Sequence, residues 1–208
     1  MQWKFNYNLI SMKLRITLFL LLFSGTLISA QVITYDDFRS IIPYLQKEDF
    51  KTAFDKTDKL LQQTVNDSSD LRGIVTYMNI YSAAGMAFLD QMSREDFRKH
   101  VTKFVGQRLV TPGHPCIDST QRSYNSLTFV KNGGQFQGFT MTSNSAKTCI
   151  FCFEYYNFNL PIVPADFIGK NVRCKGILDS VEVSTGSLKT WIARLHVSNT
   201  GISLFTPR

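Results

Sequence analysis

Thr111-Pro112-Gly113-His114-Pro115-Cys116 is the stretch on which the reading of this chain turns. Two prolines and a glycine within six residues remove backbone donors and forbid a continuing helix. Upstream, from Thr34 to Val110, apolar residues return at helical spacing; downstream they alternate with polar residues between turn signals. The order predicts an α+β chain: a helical unit over residues 31–110, a linker over 111–124 and a small antiparallel β-barrel over 125–208.

Working upstream, four helices are expected. Phe50, Ala53, Phe54, Leu60 and Leu61 share one face of a helix whose other face is charged. The next follows Asp67-Ser68-Ser69-Asp70 and places Leu71, Ile74, Val75, Met78, Tyr81, Gly85 and Leu89 on or beside one stripe. The fourth opens at Ser93, whose hydroxyl can accept from an orphan backbone N–H while Glu95 and Asp96 favour the positive helix end. Its stripe is Phe97, Val101, Phe104 and Leu109. The first helix, opened by Thr34 and Asp37, is expected to kink or end near Ile42 because Pro43 lacks an N–H.

Lys47-Glu48-Asp49-Phe50-Lys51 ahead of Ala53, Leu60 and Leu61 matches Arg94-Glu95-Asp96-Phe97-Arg98 ahead of Val101 and Leu109. This pattern resembles the helical hairpins of tetratricopeptide-type repeats. The two segments are 47 residues apart, against about 34 in those repeats, so the resemblance implies two packed αα-hairpins.

Downstream, strands are expected at Leu127–Val130, Phe136–Met141, Cys149–Tyr156, Asn171–Val183, Leu188–Val197 and Ile202–Phe205, with one helical turn within Val163–Ile168. Period two puts Cys149, Phe151, Phe153 and Tyr155 on the core face and Ile150, Cys152, Glu154 and Tyr156 on the other. Trp191, Ala193, Leu195 and Val197 likewise point inward, and Ile192, Arg194 and His196 outward. The strand count, the short helix after the third strand and the phrase from Gly169 to Leu178 are similar to an OB-fold barrel. That resemblance implies a closed barrel whose strand faces bind oligonucleotides, oligosaccharides or peptides.

The N-terminus reads as an export signal. Lys13 and Arg15 precede an apolar run from Ile16 to Phe23, then Ser24-Gly25, then Ile28-Ser29-Ala30 before Gln31. A spanning helix needs about 20 apolar residues, and Ser24, Gly25, Thr26 and Ser29 dilute this one. Residues 1–30 are therefore expected to be a signal peptide cut after Ala30, with no transmembrane span in the mature chain and a periplasmic or secreted location. Translation starts at Met1 or at Met12, which directly precedes Lys13. Loss of Lys4, Lys13 and Arg15 lowers the formal charge from +7 to +4, and the excess lies beyond residue 110. Export makes nucleic acid an improbable partner.

Cys116, Cys149, Cys152 and Cys174 all lie in the β half, and an exported chain permits disulfides. Cys149 and Cys174, both assigned to inward faces, are the disulfide candidates. Cys149-Ile150-Phe151-Cys152 has the spacing of thiol–disulfide redox motifs, but that chemistry needs a thiol at a helix N-terminus, and here the motif sits in a strand. His114-Pro115-Cys116-Ile117-Asp118 offers three metal-capable side chains without the fourth ligand of a structural zinc site. Asp118-Ser119-Thr120 and Asp179-Ser180-Val181 resemble the acceptor tripeptide of bacterial O-glycosylation. No hydrolase, protease or phosphate-cradling signature occurs, and no metal or cofactor is expected.

What survives is a basic strand face: Arg173 and Lys175 on one strand, Arg194 and His196 on another, with Tyr156 beside them. The expected function is non-catalytic binding outside the cytoplasm. In it the helical unit meets a protein partner and the barrel takes a protein or an anionic ligand, such as a glycan or another polyanion. The alternatives are an envelope-assembly or structural subunit, and a hydrolase or thiol-dependent enzyme built on residues 114–118.

Overall fold

Each helix begins where a side chain satisfies its first orphan amides, and in the computed structural model these caps lie where their residue types suggest. The structure describes residues 32–206 apart from Arg122 and Ser187. The expected signal segment, its cut after Ala30 and Met12 lie outside the described residues. Helix α1 (Tyr35–Gln46) is opened by a reciprocal pair: the Thr34 hydroxyl accepts from the Asp37 N–H, and the Asp37 carboxylate accepts from the Thr34 N–H at 2.9 Å. Pro43 does not end this helix. It sits in the last turn, where its missing N–H costs one bond, and its carbonyl still accepts from Lys47. Asp49, Ser69 and Ser93 cap α2 (Phe50–Gln63), α3 (Asp70–Phe88) and α4 (Arg94–Thr102).

Helix α3 is the centre of the molecule, with both sides covered from Gly73 to Ala87. Helices α1, α2 and α4 and the strands pack around it. Its small residues allow this approach: a β-carbon at Gly85 would fall inside the Phe50 ring. Helix α4 is shorter than its apolar stripe suggested. The chain turns at Gly106, in the left-handed region at φ 82°, and Leu109 lies in a strand instead.

Seven strands follow: β1 (Arg108–Val110), β2 (His114–Pro115), β3 (Leu127–Asn132), β4 (Gln135–Ser143), β5 (Ile150–Phe158), β6 (Asn171–Val183) and β7 (Trp191–Leu204). They form one mixed sheet in the order β1-β6-β7-β5-β4-β3, with β2 also on β6. All pairs are antiparallel except β5 with β7. The closed antiparallel barrel is thus corrected to an open mixed sheet. After β5 the chain crosses through a short 3-10 turn (Pro164–Asp166) and enters β6 one place further out, and β7 folds back into the gap. Among the described residues an isolated bridge between Cys116 and Leu127 links the two sides of the sheet. Residues 111–124, expected as a linker, thereby supply β2 and this bridge.

A bulge decides which face of β5 is buried. Thr142 pairs with Cys152 but Ser143 pairs with Ile150, so Phe151 is the extra residue. Phe151 and Cys152 are both buried, and the alternation beyond them is reversed: Glu154 and Tyr156 face inward, Phe153 and Tyr155 outward. The expected core face holds only at Cys149 and Phe151. Phe151 packs against the rings of Phe50, Tyr81 and Phe88 at centroid distances of 5.2, 5.1 and 5.9 Å, which binds helices and sheet into one core.

Candidate functional site

Helical spacing builds one wall of a cleft of about 590 Å³. Phe38, Ile42 and Leu45 recur at i, i+4 and i+7 on α1, and Ile74, Met78 and Tyr81 do the same on α3, so the two helices turn apolar edges toward a common space. The opposite wall comes from β2, the turn before β3, the end of β4 and the start of β6, which bring His114, Asn125, Thr142, Ser143 and Arg173. Among the described residues no carboxylate lines this cleft.

His114 is almost fully buried, at 5% exposure. Its Nδ1 lies 3.1 Å from the Asn125 carbonyl, which can only accept, so Nδ1 carries the proton. Nε2 has no partner in the protein. Asn125 holds that carbonyl in place from a left-handed conformation, φ 59°, which asparagine tolerates. Its side-chain oxygen accepts from the Ser143 N–H at 3.0 Å, and its own N–H donates to Met141. Arg173, at the mouth, lays its guanidinium over Phe205 at 4.3 Å, and Nε is likewise unpartnered. Gly113 gives the Phe205 ring its place, since a β-carbon there would overlap the ring.

Beneath the floor lies a buried polar cluster. Glu154, with no exposed surface, accepts from the Tyr77 and Thr142 hydroxyls at 2.6 and 2.8 Å on one oxygen and from Tyr156 at 3.0 Å on the other. Burial first, and the nearby Glu154 carboxylate second, push both phenols well above their ordinary range, which keeps them donors. Sequence reading placed Glu154 outward. Its lone acid in an aromatic strand was the available signal, hidden by the bulge.

The five binding candidates do not form one face. Arg173 lines the cleft, and exposed Lys175 stands 3.9 Å from Asp70. Arg194 and His196 share Glu182 at 3.2 and 3.4 Å on the outer sheet surface, with Arg194 over Trp191 and His196 stacked on Tyr155. In register Arg173 opposes Ser203 while Arg194 opposes Glu182, which separates the two groups by about 30 Å along the strand. Tyr156 belongs to neither, being 1% exposed and bonded to Glu154.

All four cysteines are free and buried. The expected Cys149–Cys174 bridge is not formed, because β7 lies between β5 and β6 and holds their strands apart. Burial pushes the Cys116 and Cys149 thiols up to about 11, and Cys152 and Cys174 further. His100 serves structure: it bonds to Asn79 at 2.6 Å between the Phe54 and Phe104 rings. Among the described residues no three metal-capable side chains cluster, and no helix is long and apolar enough to cross a membrane.

Fold and site together define an α+β protein in which helices and an open sheet enclose a side cleft that is apolar on one wall and polar on the other. No protein-family model, curated protein or solved structure matches this chain.

Proposed function

We propose that this is an exported, non-catalytic binding protein whose small ligand occupies the cleft between α1, α3 and the sheet. The cleft itself carries this reading. At about 590 Å³ it falls within the roughly 300–1,000 Å³ of small-molecule sites, and it combines apolar walls with a few convergent polar groups as such sites do. Export rests on the charged, apolar and small-residue order of residues 13–30.

The catalytic alternative on residues 114–118 has weaker support. The buried Cys116 thiol, pushed up to about 11, stays protonated and a poor nucleophile at neutral pH. Asp118 is exposed, and its carboxylate accepts from the Thr120 amide. A protein partner on the helical half also gains little, because the apolar stripes of the helices are taken up by the common core and by the cleft.

A neutral dye tests the reading. N-phenyl-1-naphthylamine should bind the chain beginning at Gln31 saturably, with a rise in fluorescence. Ile42→Trp, which fills the cleft from its rim, should abolish the signal while leaving the circular dichroism unchanged. Equal binding by the filled variant would place the dye elsewhere and defeat the proposal.

A further inference from the structure

The two walls of the cleft differ in the chemistry they ask of a ligand. The helical wall, with Phe38, Ile42, Leu45, Ile74 and Met78, mainly offers contact to an apolar body. The strand wall offers Arg173, the one permanent cation lining the cleft among the described residues, and the unpartnered Nε2 of His114. With Nδ1 donating to the Asn125 carbonyl, Nε2 presents a lone pair that needs a donor. A buried polar atom without a partner is destabilising, and none of the surrounding side chains supplies one. Arg173, its Nε unpartnered too, favours an anion.

Glu154 and Glu48 stand near the cleft, and both are engaged. Glu154 lies beneath the floor, satisfied by three hydroxyls, and Glu48 accepts from the Ser145 amide at 2.6 Å by the rim. Neither acid lines the cleft, where Arg173 is the charged side chain on the strand wall.

We infer that the cleft binds an apolar monocarboxylic acid, its hydrocarbon body against α1 and α3 and its carboxyl group at His114 and Arg173. A carboxylic acid answers both demands in one group. Its O–H bond breaks as the proton passes to the Nε2 lone pair, and the carboxylate so formed accepts from the new Nε2–H and from the guanidinium. A neutral apolar ligand leaves Nε2 bare, and an amine or other cation meets Arg173 with like charge. The inference rests on the cleft reading above and adds the head group to it.

Dodecanoic acid and its methyl ester separate the two, because they share a tail and differ only at the head. Each is titrated against bound N-phenyl-1-naphthylamine. The acid should displace the dye at a concentration at least about tenfold lower than the ester, the effect of one or two charge-assisted hydrogen bonds. Arg173→Gln at the mouth should remove most of that advantage and leave the ester unchanged. His114→Asn, which keeps a donor toward the Asn125 carbonyl, should do the same. Equal displacement by acid and ester overturns the carboxylate assignment while the cleft reading stands. An advantage of the acid that survives both substitutions also overturns it. Failure of the dye to bind at all removes both readings together.

Discussion

The Tyr77 hydroxyl on α3 donates to the Glu154 carboxylate on β5 across 2.6 Å, joining residues 77 positions apart through fully buried side chains. Thr142 and Tyr156 complete the set. The network pins the central helix to the sheet directly beneath the cleft floor. Tyr77→Phe should therefore destabilise the chain by about 1–3 kcal/mol, the cost of leaving a buried acceptor short of a donor. Combined with Glu154→Gln the losses should be non-additive, as in a shared network. Urea denaturation of the two single variants and the double variant measures both effects.

Phe50, the first residue of α2, packs its ring directly onto α3 at Gly85. A methyl group there meets the Phe50 ring, which is itself packed edge-on against Phe151. Gly85→Ala should lower stability by about 1–3 kcal/mol through overpacking, despite the better helix propensity of alanine. A thermal melt above that of the parent would show that the ring moves aside freely.

His100 should make stability depend on pH. Burial first, and Lys103 with it, lower its pKa against a smaller opposing pull from Asp58. The unfolded side chain titrates near about 6.5, so between that value and the lower folded one the unfolded state binds more protons. Stability contributed by neutral His100 is thus complete above the unfolded value and declines as pH falls through the window. Melting temperatures from pH 7 to 5 should drop more steeply in the parent than in His100→Gln, which keeps a donor toward Asn79.

The four thiols should resist modification in the native state. Burial holds Cys116 and Cys149 near 11 and leaves none of the four exposed. Iodoacetamide at neutral pH is expected to label them only after denaturant is added, and non-reducing peptide mapping should find no linkage. A Cys149–Cys174 peptide would contradict the strand order, since β7 separates the two.

If the chain is exported as proposed, its secreted form should begin at Gln31. N-terminal mass spectrometry of protein recovered outside the cytoplasm checks this, and retention of Met1 or Met12 there would refute it.

Local features were legible from sequence alone. Thr34, Ser69 and Ser93 announce helix starts because a cap is a bond between residues two or three apart. Thr111-Pro112-Gly113 announces the change from helix to strand because proline and glycine act on their own backbone. Helical spacing likewise put Ile74, Met78 and Tyr81 on one stripe, and that stripe becomes a wall of the cleft.

Only the tertiary structure decided the rest. Period two places successive side chains on opposite faces but is silent on which strands pair, so the insertion of β7 between β5 and β6, the open sheet and the unpaired cysteines were out of reach. One extra residue at Phe151 turned Glu154 and Tyr156 from the expected surface into the core. The same long-range register parted Arg173 from Arg194 and brought His114 to the carbonyl of Asn125. Caps and periodicities are short-range properties of the chain. A cleft is made by residues far apart in sequence, whose meeting depends on the packing of the whole core.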